Sequence, residues 1–253
     1  MLDKMIHVNS LGHELVIGEG VFLNYSEIRD YGSDSKSLPF LLFDTEEMKD
    51  EFFEHFEVDI LSEEDGYFEI NGYKLYGHAT AIKNSDYLMD KRLIKKTMTY
   101  ETSTNWIKET SNVFSIEDWV NTLEIDRKEY TYTYPYTYGA ALGTATLTNN
   151  AHYSADAIIK FYGPGTNPYV EIGDVVYQVN ETIELGEIIE INTADRTITK
   201  YSISGESTNI FQYRNKNYNI FSKISSGASA ISWDPDYVVE IILVESRGEP
   251  SWT

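Results

Sequence analysis

The sequence predicts a mainly β protein in two parts: an α+β N-terminal domain with one principal helix, then an antiparallel β-sandwich. Three observations carry that expectation. A single strong helical period occurs, around Met48, Phe52 and Phe56. The second half is a series of short apolar segments separated by turn residues, with no helical period. Between them, KEYTYTYPYTYGAALG runs from Lys128 to Gly143 and places Tyr130, Tyr132, Tyr134, Tyr136 and Tyr138 at alternate positions. In extended form those rings would line one edge, while Pro135 forbids a fully paired central strand. The stretch reads as a Tyr-rich connector over residues 129–143, separating an N-terminal domain of residues 1–128 from a C-terminal domain of residues 144–253.

In the first domain, His7–Gly12 reads as a strand entering a turn, and Glu14–Ile17 and Val21–Tyr25 as strands around Gly18-Glu19-Gly20. Leu38–Phe43 is an apolar run expected to be a buried strand. The helix follows, capped by Asp44 or Thr45, with Glu46 and Glu47 in the turn where the dipole favours negative charge. Phe53 widens its apolar stripe, and His55 is expected at the surface. Tyr67–Ile70, Asn71-Gly72 and Tyr73–Tyr76 form a hairpin signal, because Asn-Gly supplies two positive φ angles for a type I′ turn. Ala79–Ile82 and Lys91–Tyr100 are further strands. The second carries Lys91, Arg92, Lys95 and Lys96, read first as a solvated face and second as a contact for an acidic neighbouring subunit. Trp106, Phe114 and Trp119 fall in a less regular segment, with Ser115–Leu123 a short helix capped by Ser115.

In the second domain the expected strands are Ala157–Tyr162, Tyr169–Ile172, Val175–Val179, Thr182–Leu185, Ile188–Ile191, Thr197–Ile203, Ile210–Tyr213, Asn219–Ile224, Ala230–Trp233 and Val238–Val244. Gly173-Asp174 is a two-residue loop of the Gly-X type, and Gly186-Glu187 joins a second hairpin. The last strand, VVEIILV, is apolar enough to be buried on both faces.

Composition narrows function. Forty-one acidic against twenty basic residues give a formal charge of −21 over 253 residues. So acidic a surface repels nucleic acid, whose binding needs Lys and Arg against phosphate. Without cysteine the chain has no disulfide and no thiolate metal site, which fits a reducing compartment. No apolar run spans a bilayer and Met1–Gly20 lacks signal-peptide texture, so a soluble chain is expected.

No catalytic, cofactor or metal residue is assigned. His7, His13, His55, His78 and His152 never reach a metal-binding spacing, and no nucleophile elbow or phosphate loop is present. Glu184, Glu187 and Glu190, or Asp234 and Asp236 around Pro235, offer carboxylates for a hydrolase or a calcium ion, but turn formation explains them more simply. Abundant tyrosine suits a sugar platform at Tyr153, Tyr162, Tyr169 or Trp233, and equally a protein interface.

The segments AIIKFYGPGTNPYVEIGDVVYQV, LGEIIEINTADRTI and NIFSKISSGASAISW, with the ending Arg247-Gly248-Glu249-Pro250-Ser251-Trp252, together resemble the distal tail protein (Dit) family of bacteriophages. VNSLGHEL and TYETSTNWIKE match that family's first domain more loosely, and after Gly227 stand Ala228 and Ser229 where the family places an Asn. The resemblance implies a first domain assembling six copies into a ring and a galectin-like second domain outside it. It implies a structural, non-enzymatic hub of the virion, assembled in the host cytoplasm. Its partners would be the tail tube, a tail-associated lysin or fibre-base protein, and receptor-binding proteins. DNA would pass through an acidic lumen unbound, with no membrane and no cofactor involved. The galectin sugar signature has no counterpart here. A host-surface carbohydrate-binding module is the alternative, and a polysaccharide hydrolase ranks last.

Overall fold

A computed structural model describes residues 5–18, 21–23, 34–43, 46–88, 93–115, 145–234 and 236–249. The connector tyrosines, the Asp44 and Thr45 caps, Lys91, Arg92, Trp119, the helix expected after Ser115, and the Pro250-Ser251-Trp252 ending lie outside those residues. The chain is mainly β, with one α-helix among the described elements. Its contacts divide it into Met1–Glu109 with Ser246–Thr253, and Thr110–Glu245.

In the first unit, β1 (Met5–Val8), β2 (Glu14–Ile17), β3 (Val21–Leu23), β4 (Ser35–Phe43), β5 (Gly66–Ile70), β6 (Tyr73–Leu88) and β7 (Leu93–Thr102) pair antiparallel in the order β3-β4-β7-β6-β5-β1-β2. The β5–β6 turn is as the sequence predicts: Asn71 and Gly72 take φ of 53° and 77°, and Ile70 faces Tyr73 across the ladder. Leu38, Phe40 and Leu42 alternate inward, so β4 is the buried strand expected. The two segments read separately at Tyr73–Tyr76 and Ala79–Ile82 are one strand, β6, which absorbs register shifts between Ala79 and Ala81 and between Asn84 and Asp86.

The helix α1 (Glu46–Ser62) lays Phe52 and Phe56 against Phe40, with ring centroids 5.1 and 6.0 Å away. Burying each of those two rings contributes about 1.5–3 kcal/mol. Phe53 departs from expectation: it is 43% exposed, one residue around the helix from the buried stripe, beside the Lys96 ammonium. Strand β8 (Trp106–Phe114) replaces the irregular segment read there; Trp106 and Phe114, at its two ends, are buried.

The second unit is an antiparallel sandwich. One sheet holds β17 (Ser207–Asn209), β16 (Thr197–Tyr201), β15 (Ile188–Asn192), β10 (Asp156–Tyr162) and β19 (Val238–Arg247) in that order. The other holds β13 (Val175–Gln178), β12 (Tyr169–Ile172), β18 (Gly227–Trp233) and β9 (Ala145–Asn149). Their inward faces share one core that includes Phe161, Ile191, Val239 and Ile241 from the first sheet and Leu147, Val170, Tyr177 and Trp233 from the second. Gly173-Asp174 forms the expected tight loop, with Ile172 opposite Val175.

Four expectations fail here. The Gly186-Glu187 turn joins no hairpin: β14 (Thr182–Ile183) pairs with β11 (Gly165–Thr166), while β15 finds longer partners in β10 and β16. The Gly163-Pro164-Gly165 turn enforces this, because Gly163 donates to the Glu187 carbonyl and has no room for a Cβ against the Glu184 carbonyl oxygen. Phe211–Tyr213 is a 3-10 turn, and Asn219–Ile224 touches the ladder only through the Ala155–Ile224 bridge. Strand β19 is not sealed on both faces; Val239, Ile241 and Leu243 are buried and their alternates are half-buried.

Candidate functional site: a buried histidine cluster and open strand edges

Strand β1 carries His7 on the inward face with Met5, and α1 carries Phe52, His55, Phe56 and Asp59 at helical i, i+3, i+4 and i+7 spacing. Packing the stripe on the strand brings the two histidines together. His7 Nδ1 and His55 Nε2 share one hydrogen bond of 2.8 Å, inside a shell of Phe56 and Phe68 rings. His55, expected at the surface, is 8% exposed. The Ser10 N–H donates to Asp59 Oδ1 at 2.8 Å, and Asn9 Nδ2 donates to the His55 carbonyl. The remaining polar atoms, His7 Nε2 and Asp59 Oδ2, face each other at 3.8 Å, too far for a hydrogen bond. Neither has a partner among the described residues.

Electrostatics follow from that geometry. Burial, then the neighbouring His55, holds His7 well below the usual histidine range. Burial, then His13, brings His55 down to about 4. Burial pushes the Asp59 carboxyl up against the opposing pull of the Ser10 N–H. Beside His55 opens a groove of about 780 Å³ lined by Asn9, His13, Glu14, Asp50, Glu51, Glu54 and Val58. No trio of His, Asp or Glu among the described residues has metal-holding geometry. The sequence signal for the cluster is the i, i+3, i+4, i+7 stripe itself, which does not decide the place of His55 because histidine suits surface and core alike.

The acids considered for catalysis do not converge. Glu187 pairs with Lys200 at 2.8 Å, which holds its carboxyl below the usual value, while Glu190 reaches Lys160 at 3.7 Å. Asp234 caps its own turn, accepting from the Asp236 N–H at 3.0 Å. Of the proposed sugar-stacking rings, Trp233 is excluded because it is fully buried beside Phe114. The Tyr162 hydroxyl donates to Glu240 at 2.5 Å, and burial, then that bond, pushes it up to about 12. Tyr169 is half-buried and Tyr153 is exposed. Of the basic cluster, Lys96 is buried, its ammonium 5.7 Å from the Phe52 ring centre, rather than solvated.

What stays available is backbone. Among the described residues, β2 is hydrogen-bonded on one side, to β1, and β17 on one side, to β16. Such edges are templates for another strand. No described helix is long and apolar enough to cross a membrane.

No family model matches the sequence, and no curated protein sequence does. Solved structures do match. The Dit protein of phage SPP1, described as a paradigm of the hub adsorption apparatus in phages infecting Gram-positive hosts, aligns over 97% of this chain and 100% of its own, at TM-score 0.55 and 10% identity. The chain has the Dit fold. A chain of the phage P2 baseplate in its activated conformation with calcium aligns over 98% of this chain and 99% of its own, at TM-score 0.53 and 15% identity. The same baseplate solved with strontium gives the same values. The Dit fold thus accounts for the α1-bearing sheet and for the sandwich alike.

Proposed function

We propose that this protein is a structural, non-enzymatic hub of a phage tail tip or baseplate. The observation that carries the reading is the end-to-end correspondence with the SPP1 Dit protein, described as a paradigm of the hub adsorption apparatus. The N-terminal domain, residues 1–128, forms a ring of six copies, and residues 144–253 supply a galectin-like domain. Open edges such as β2 support closure by repeated pairing between identical copies. The ring joins the tail tube to a tail-associated lysin or fibre-base protein, and carries receptor-binding proteins. With a formal charge of −21 on each copy, its lumen repels DNA and lets it pass unbound.

Antibody labelling of intact phage tests location, and electron microscopy of the purified protein with tail extract tests assembly. Label at the distal end of the tail and six-fold rings are expected. Tails without label, or specific saccharide binding by a protein that never closes a ring, would overturn the hub in favour of a carbohydrate-binding module.

A further inference from the structure

We infer that His7, His55 and Asp59 form an acid-sensitive latch holding α1 on the sheet of the first unit. The argument rests on the hydrogen bond at 2.8 Å between two buried imidazoles. One nitrogen must donate and the other must accept, so the contact holds one proton and has no room for a second. Two orientations satisfy it. In one, His55 Nε2–H donates to His7 Nδ1 and His7 Nε2–H points at the Asp59 carboxylate, 3.8 Å away. In the other the donor and acceptor exchange. Either way a further proton would put net charge among the Phe56 and Phe68 rings, so the closed latch resists protons that the opened rings, in water, accept freely.

The sign follows from linkage. Both histidines titrate lower closed than open, so the latch is fully stabilised above about pH 6.5 and weakens as pH falls from there toward 4. In that window each ring raises the opening constant about tenfold per pH unit. Asp59 acts against them, since its closed carboxyl takes a proton earlier than an opened one. The surrounding groups are His13 from the β1–β2 turn, Asp65 and His78 from around β5 and β6, and Tyr100 of β7, whose hydroxyl donates to the Gly77 carbonyl. Glu14, Asp50, Glu51 and Glu54 line the groove beside His55. Opening releases Phe52 and Phe56 from Phe40, uncovering the apolar face of α1.

The second unit is a built-in control. Its one histidine, His152, is exposed. Relief of self-repulsion in so acidic a chain would act on both units, and would stabilise them as pH falls.

Hydrogen exchange at pH 7 and pH 5, corrected for intrinsic rates, reads the latch in the full chain. The opening constant of α1 amides should rise on the order of a hundredfold, while β10 and β15 do not follow. His55→Gln keeps a partner for His7 without a titrating ring, and should cut that ratio at least tenfold. An α1 opening constant that does not change with pH, or an unchanged ratio in His55→Gln, would overturn the latch. If that variant does not fold, ring titration of the native protein decides: either histidine titrating near 6.5 refutes it.

Discussion

His7 in the first unit and Asn149 in the second are both polar side chains sealed in apolar surroundings, and their hydrogen bonds go to different kinds of partner. His7 bonds a second imidazole and faces a carboxyl. Asn149 bonds only backbone: its amide donates to the carbonyls of Tyr153, Ile224 and Ser225, and its oxygen accepts from the Ala151 N–H. Thr193 differs from it: its hydroxyl accepts from the Ala157 N–H at 2.8 Å and donates to Asp156 Oδ1 at 3.5 Å. Backbone amides do not titrate, so Asn149 keeps its bonds across the acid range in which His7 loses its own. One chain thus seals a polar side chain in two ways, with a titrating partner at His7 and with backbone alone at Asn149.

That contrast can be sharpened or broken by substitution. The largest effects belong to the two apolar cores: Trp233→Ala should destabilise the second unit, and Phe52→Ala the first, by about 3–5 kcal/mol each. Calorimetry should show each variant lowering the melting of its own unit; a single shared transition in both would erase the distinction between units. Asn149→Ala should cost about 2–4 kcal/mol, because the Ala151 N–H and the Tyr153 and Ser225 carbonyls lose this partner, while the Ile224 carbonyl keeps the Ala155 N–H. Its penalty should be equal at pH 7 and pH 5 in chemical denaturation, and a penalty varying with pH would break the comparison.

Glu240→Gln should cost about 1 kcal/mol in the second unit, removing the charged acceptor of the Tyr162 and Ser111 hydroxyls near solvent. Those hydroxyls hold the Glu240 carboxyl below its usual value, so this stabilisation is present above about pH 4.5 and lost as pH falls through the lower folded value. Denaturation of wild type and variant should therefore converge in strong acid. Phe53→Ala, one residue along from Phe52, should change stability by less than about 1 kcal/mol. A loss matching that of Phe52→Ala would mean the exposed ring is part of the core after all.

Much of this architecture was legible in the residues. Asn71-Gly72 dictates its turn through φ alone, and alternation places Leu38, Phe40 and Leu42 inward, because both signals are local. Ile210–Tyr213 and Thr182–Leu185 misled for the opposite reason. Thr182–Ile183 is a strand but pairs with β11 rather than β15, and Phe211–Tyr213 turns as a 3-10 helix, neither of which local composition sets. The histidine cluster was half visible. His55 and Asp59 share the spacing of Phe52 and Phe56, yet only tertiary packing delivers His7 from a distant strand. Tyrosine content likewise said nothing about which rings stay accessible, and Trp233, the most promising platform by type, is the most deeply enclosed.

Tyr73 is met by two cations, the Lys108 ammonium at 5.1 Å and the Arg247 guanidinium at 5.5 Å from its ring centre. The first lies just before the chain leaves the first unit and the second just after it returns. Everything between them is, in topological terms, one long insertion whose entrance and exit are moored to the same aromatic post. Both junctions fall inside strands, β8 and β19, so an exchange of the insert would have to preserve those two strands as its stems.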